Sequence, residues 1–473
     1  MKSSENDGKN DSHGIEILLG DPKRAILKLS LPMIVAMSVQ TLYNLVDAVW
    51  VAGLGADALA AIGFAFPFFF AAMALSNGLG IGGGSAISRR IGSQDKEGAD
   101  NVAVHTIVMM LLIAVLFTIP LFFCAEGLFV MIGAGRTVDL AVAYAQVIFA
   151  GSIFLFFTNT ANAILRAEGD SRRAMYVMVL GAGMNIVLDP IFIYTLKMGI
   201  AGAAWATIIS LAVSSSLMLY WMSFKKDMYV SFKFIGFRLD KSIVQDIFGV
   251  GVPAAVMQLA MTFTILIMNT IIVMVGNTDG VAVYTTGWRV VSIAILPLVG
   301  IATAVVSVTG AAFGKHSFEK AKIAHRYAIK IGFMIEVVIA AATFIFAPQI
   351  AAVFTYTEEA AHIAPDLITF LRVASISYVT VPFGMLSSSL FQGTGKGMNA
   401  LIVTVLRTII LTPLFSFLLA FNLCMGLNGI WWGLVAANTI GSAVAFAWAG
   451  LYTRRLINLA APRPRTPPPS NPL

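Results

Sequence analysis

The chain has 473 residues, of which 58% are hydrophobic and only 12% charged; its mean hydropathy is +0.85 and its net charge +7. That much apolar side chain cannot be hidden inside a water-facing globule, where the charged fraction is normally ~25%. The low charge excludes a nucleic-acid binder, the two cysteines (Cys124 and Cys424) exclude a disulfide scaffold, and the five histidines show no metal-ligand spacing.

The composition is that of a polytopic membrane protein. The polar, acidic N-terminus has no apolar core and so no cleaved signal peptide is expected. A hydrocarbon layer ~30 Å thick takes ~20 apolar residues per helix. Twelve such stretches follow in order, at 25–53, 58–88, 101–125, 138–167, 172–196, 199–224, 244–275, 280–313, 318–348, 362–393, 397–421 and 427–454. Asp47, Asp189 and Glu336 interrupt spans 1, 5 and 9. Pro190, which cannot donate to the Ile186 carbonyl, predicts a kink in span 5. The polar stretch 225–243 separates six spans from six, and the Pro-rich segment 457–473 is expected to be disordered. The implied organisation is a cytoplasmic segment 1–24, an N-lobe 25–224, a linker 225–243, a C-lobe 244–456 and the tail.

Of 31 Lys and Arg residues, 23 fall on one side of these spans and only Arg136 and Lys197 on the other; the rest lie inside or at the ends of spans. By the positive-inside rule both termini are cytoplasmic, in a cell membrane. The basic balance is therefore topology.

The halves repeat. Leu31-Pro32 matches Val252-Pro253, Gly92 and Ala99 match Gly314 and Ala321, Ile164 to Gly169 matches Leu390 to Gly395, and Gly199 to Trp205 matches Gly426 to Trp432. Six spans per copy put the pseudo-axis along the membrane normal, an arrangement that typically exposes a site alternately to the two sides. The copies differ in chemistry: Asp47 aligns near Met268, Glu168 with Thr394, Asn185 near Leu411 and Asp189 near Phe415, so an ion-handling site belongs to the N-lobe.

Charge at membrane depth costs ~2.5–3.5 kcal/mol and is a functional hypothesis by default. Asp47, Asp189 and Thr207 lie about 9, 10 and 12 Å from the outer ends of their spans, at one depth. Asn185 is one turn below Asp189, as Tyr43 and Asn44 are below Asp47. An all-oxygen set of this kind suits a hard cation such as Na⁺, and equally a proton. Glu168, beside Arg166, Asp170, Arg172 and Arg173, is read as part of an interfacial salt-bridge cluster, with gating as the alternative. Asn159 and Asn162 are cavity polars or interhelical hydrogen-bonders. Glu336 is read as neutralised by Arg289 or Arg407. Gly78-x-Gly80-x-x-Gly83 has no strand before it and is read as helix packing, and no Walker A pattern occurs, so no ATP is used.

Leu42 to Asp47, the loop Arg89 to Gly98, Leu165-Arg166-Ala167-Glu168-Gly169-Asp170 and Asn185-x-x-x-Asp189-Pro190 resemble the multidrug and toxic compound extrusion (MATE) family, in its DinF-type branch, over residues 18–457. The resemblance implies an all-α, V-shaped fold of twelve transmembrane helices in two pseudo-symmetric six-helix lobes. It implies an antiporter expelling cationic amphiphilic drugs against an inward Na⁺ or H⁺ gradient, with no cofactor beyond that ion, and acting as a monomer. By motif match the family's cation site falls on Asp47, Asn185, Asp189 and Thr207, with Tyr43, Asn44, Asn159, Asn162 and Glu168 as cavity or gating residues. Three rivals stand beside this reading. A lipid-linked oligosaccharide flippase of the same superfamily would want a cationic cavity, for which Arg289, Arg372 and Arg407 are available. A major-facilitator transporter would carry a Gly-x-x-x-Asp-Arg-x-Gly-Arg-Arg loop, which is absent, and an enzyme would need a nucleophile or metal constellation, of which none is visible.

Overall fold

The computed structural model describes residues 13–224, 228–232, 234 and 236–460, and every regular element in them is helical. Most of the Pro-rich tail, and parts of the N-terminal segment and linker, lie outside the described residues. A short helix α1 (His13–Leu19) precedes α2 (Pro22–Ala52), whose N-cap Asp21 accepts from the Lys23 amide. Then come α3 (Ala56–Gly92), α4 (Lys96–Met131), α5 (Val138–Ala150), α6 (Ser152–Ala167), α7 (Ser171–Pro190) and α8 (Gly199–Phe224). The second half holds α9 (Lys241–Ala294), α10 (Leu296–Gly314), α11 (Phe318–Ile345), the short α12 (Ala347–Phe354) and α13 (Glu358–Ala361), α14 (Ala364–Tyr378), α15 (Val381–Gly393), α16 (Gly397–Val405), α17 (Thr412–Phe417) and α18 (Gly426–Ala460).

By length and apolarity these make up to twelve spans, in the order read from the sequence. Three details differ. Span 4 is the pair α5 and α6, bent by 46° at Gly151, and span 10 is the pair α14 and α15, bent by 49°. The boundary between spans 7 and 8 is a single residue, Asn277, with φ 51° and ψ −150°. The last helix continues to Ala460, so the expected disordered tail cannot begin at 457: Leu456 to Ala460 extend a helix that has no breaker before Pro462.

The internal repeat is written in the backbone. Left-handed residues recur in pairs at Gly55 and Asn277, Gln94 and His316, Gly169 and Gly395, Lys197 and Cys424, and Gly199 and Gly426. Gly92 packs on the Ala311 carbonyl and Gly314 on the Arg89 carbonyl, a reciprocal contact of α3 with α10 that only a two-fold relation produces. No side chain beyond hydrogen fits at either place. The glycines of the Gly78-x-Gly80 stretch likewise serve packing, because a Cβ on Gly78 would lie 2.7 Å from Ala255 Cβ, and one on Gly80 2.9 Å from Ala163 Cβ.

Each half also carries one π-helical turn at the far end of its fifth span, Ile191–Thr195 and Leu418–Asn422. Pro190 therefore changes the helix type where a kink was expected; Leu196 N donates to Ile191 O at 2.8 Å, five residues back. The second half has an additional π turn, Leu406–Leu411. Such a turn is a one-residue insertion. It corrects the alignment beyond it by one position: Asn185 corresponds to Thr412 and Asp189 to Ser416, in step with Gly202 on Phe192 O and Gly429 on Leu419 O.

The end of the bundle that carries the termini is closed across the halves. Arg89 pairs with Asp246 at 2.6 Å and donates to Ser85 Oγ at 2.6 Å, while Ser85 donates to the Gln392 carbonyl at 2.5 Å. Ile15 and Leu18 of α1 are buried in the central apolar core, beside residues of both halves.

Candidate cation and substrate site

Asp189 ends α7 one turn after Asn185, so both side chains leave the same face of that helix. Both are buried, at 0% and 2% exposed, and α8 brings Thr207 against them. In the orientation that satisfies both ends of its amide, Asn185 donates to Asp189 Oδ2 at 2.6 Å and accepts from Thr207 Oγ1 at 3.2 Å. Asp189 Oδ1 is buried with no donor among the described residues. On α2 the Asp47 carboxyl comes within hydrogen-bonding reach of Asp189. The π turn after Pro190 helps to place it: Tyr194 donates to the Trp50 carbonyl at 2.6 Å, tying the end of α7 to α2 three residues beyond Asp47.

Two carboxyl groups in contact, one with a buried oxygen lacking a donor, repel each other unless a cation lies between them. The surrounding donors are all oxygens: Asp47, Asp189, the Asn185 amide and Thr207. Such a set fits Na⁺ or a proton and no soft metal.

Tyr43 lies one turn before Asp47, beside Thr207 and facing both carboxylates. A second tyrosine, Tyr144 of α5, faces the same pair. Sequence reasoning missed Tyr144, which sits in an ordinary apolar helix. Its signal was positional: it lies seven residues before Gly151, where span 4 bends.

The other predicted residues are placed elsewhere. Asn44 is exposed on α2. Asn159 donates to Ser76 Oγ at 2.9 Å, and Asn162 donates to the Ala174 carbonyl at 3.0 Å while accepting from Arg166. Both amides are therefore spent on helix packing. Glu168 caps α6 at the opposite end of the lobe, 2% exposed, with Oε2 accepting from the amides of Tyr229 and Val230 at 2.8 and 3.0 Å. Its partner is the main chain of the linker; within that cluster Asp170 pairs with Arg173, at 3.4 Å. Burial pushes the Glu168 carboxyl up to about 7.

Glu336 corrects a second expectation. It is 0% exposed, and neither carboxyl oxygen has a partner among the described residues. Arg289 is exposed on α9, Arg372 lies 5.6 Å over the Phe344 ring, and Arg407 is held between α15 and α18. The titratable group facing Glu336 is Tyr378 of α14, whose hydroxyl is also unpartnered.

The MatE family model matches residues 32–191 and 253–418. The fold superimposes on a solved structure of the outward-facing conformation of a multidrug resistance MATE family transporter of the MOP superfamily, with TM-score 0.92 and 46% identity, covering 94% of this chain and 99% of that one. The chain is also similar to the multidrug export protein MepA of Staphylococcus aureus (strain NCTC 8325 / PS 47), 28% identical over 92% of this chain and 94% of the relative. MepA of Staphylococcus saprophyticus is 29% identical over the same shares.

Proposed function

Because the chain belongs to the MatE family, a family of membrane transporters and not of enzymes, we propose that it is a multidrug efflux antiporter that expels cationic amphiphiles in exchange for Na⁺ or H⁺. The single observation that carries this reading is the Asp47–Asp189 contact, set with Asn185 and Thr207 in the lobe that alone has such a pair. The names of the MepA relatives support the multidrug part.

Antiport requires that drug and ion are not held together. A shared negative site achieves this, since a bound cation neutralises the carboxylates that would otherwise attract a cationic drug. Neutralisation also removes the cost of charge facing an apolar wall, so the lobe can repack. In this state α2 runs unbroken through Pro32 from Pro22 to Ala52. We place the repacking in a bend of that helix at Pro32 or near Asn44, which would squeeze the drug outward. An ion that favours the repacked state ~100-fold moves the equilibrium by ~2.7 kcal/mol. The transporter acts as a monomer in the cell membrane with both termini cytoplasmic, and ATP has no part in the cycle.

Transport into vesicles under separately imposed Na⁺ and pH gradients tests this reading. Efflux driven by one of the gradients, and absent in Asp47→Asn and Asp189→Asn proteins that remain folded, is the expected result. Efflux that ignores both gradients would remove the antiport reading. The flippase alternative has less support, because the three arginines stand in separate settings: Arg289 is exposed on α9, Arg372 lies over the Phe344 ring and Arg407 stands between α15 and α18.

A further inference from the structure

The C-terminal copy of the cation site is uncharged, with Thr412 and Ser416 where the N-terminal copy has Asn185 and Asp189. A charge of the opposite sign stands one turn earlier. Arg407 is the second residue of the extra π turn, ten residues after Gly397 and so ~15 Å along its span. Its repeat counterpart is Gly181, and the surroundings have been exchanged to match. In the N-terminal half Gly181 packs on Ser214, with a Cβ there 2.7 Å from Ser214 Oγ, and Thr158 is hydrogen-bonded to Ser215 at 2.9 Å. In the C-terminal half the equivalents of Thr158 and Ser214 are Gly384 and Gly441. Two side chains are cut back to hydrogen where a third has grown into a guanidinium.

The fit is close. A Cβ on Gly441 would lie 2.6 Å from Arg407 Cγ, and one on Gly384 would lie 3.2 Å from Arg407 Nη1 and 2.6 Å from Ser442 Oγ. Ser442, the counterpart of Ser215, is 1% exposed and its hydroxyl has no partner among the described residues. The Arg407 side chain is partly exposed, and among the described residues it has no ion pair and no side-chain hydrogen bond. A guanidinium held for structure alone, at membrane depth, would be paired. This one keeps five donors in a planar fork, beside a free hydroxyl, in space that two glycines provide.

We propose that Arg407 and Ser442 form an anion-recognition site for the carboxylate or phosphate of a bound amphiphile. A planar fork takes either group in a bidentate manner. With a negative centre in one half and a positive centre in the other, the protein handles zwitterions as well as cations. This rests on the antiport reading for its first source of ligand, a transported compound; an anionic lipid headgroup presents the same chemistry.

Rhodamine B, a zwitterion, and its ethyl ester, a cation of nearly the same shape, separate the possibilities by binding to the purified full-length protein in an uncharged detergent. Arg407→Gln is expected to weaken rhodamine B about 10-fold and the ester less than about twofold, with Arg407→Lys recovering part of the loss. Ser442→Ala, a smaller change, is expected to cost rhodamine B about 3-fold with the ester unaffected, and it discriminates even where Arg407→Gln does not fold. Equal weakening of both dyes by these variants, or of neither, overturns the proposal. In wild-type protein, phosphatidylglycerol that displaces rhodamine B but not the ester assigns the anion to a lipid headgroup; displacement of neither assigns it to the transported compound. Asp189→Asn should weaken both dyes, so a failure of the antiport reading shows in that variant and not in Arg407→Gln.

Discussion

The two halves share one chain path and carry opposite charges on it. At the far end of their fifth spans both go over to a π turn, Ile191–Thr195 and Leu418–Asn422, and in both the sixth span packs a glycine, Gly202 or Gly429, against that turn. Around this common frame the N-terminal half holds two carboxylates, an amide and a hydroxyl, whereas the C-terminal half has Thr412, Ser416 and an arginine. Site chemistry has therefore diverged on a backbone frame that both halves keep. The frame is set by left-handed residues and close glycine contacts, none of which touches the carboxylates, so charges can be exchanged without moving helices.

The largest expected effect breaks the comparison on the acidic side. Asp189→Asn and Asp47→Asn should each lower coupled efflux about 100-fold or more, with a monodisperse, folded protein, because one carboxylate no longer gives the ion a preference for one state. Ion-driven dye efflux from vesicles is the measurement. Thr207→Ala should be milder and selective: about 10-fold in the response to Na⁺ and little in the response to H⁺, since a proton needs no hydroxyl ligand. Tyr144→Phe removes a hydroxyl facing the same carboxylates, and about threefold weaker coupling in the same assay is expected.

At the other end of the lobe Glu168 gives a pH signature. Its carboxyl is raised from an ordinary 4.5 to about 7 by burial. The folded protein therefore holds a proton there that the unfolded chain releases, so stability is fully present below about 4.5, falls as pH rises, and is flat above about 7. The whole effect is about 3–4 kcal/mol at most. Thermal midpoints of wild type and Glu168→Gln across this window check it, because their difference should change with pH there and not above it. The smallest effect belongs to Glu336. With no basic partner to strand, Glu336→Gln should leave the thermal midpoint unchanged or slightly raised.

The twelve spans, the repeat and the two carboxylates of the site were legible in the sequence because each rests on a one-dimensional signal: apolar length, matched glycines and prolines, and charge inside an apolar run. What was not legible depends on rotation about a helix axis. Asn159 and Asn162 read as cavity polars until the faces they occupy are known, and both turn to neighbouring helices. Glu336 and Arg407 look like partners when depth is the only coordinate; the structure leaves Glu336 unpaired among the described residues and holds Arg407 between α15 and α18. The π turn at Leu406–Leu411 shifts the alignment of the two sites by one residue, a change that composition does not register. Tyr144 was hidden for a simpler reason: a tyrosine in an apolar helix is unremarkable until a carboxylate is seen beside it.

The central claim is that ion and drug compete for one negative site in the N-terminal half. The most direct test is the affinity of the purified protein for a cationic dye such as the rhodamine ester, titrated against Na⁺ at fixed pH and against pH without Na⁺. The account predicts that added Na⁺ or acid weakens dye binding competitively in wild type, and that the dependence disappears in Asp47→Asn and Asp189→Asn. A wild-type dye affinity indifferent to both ions would contradict it.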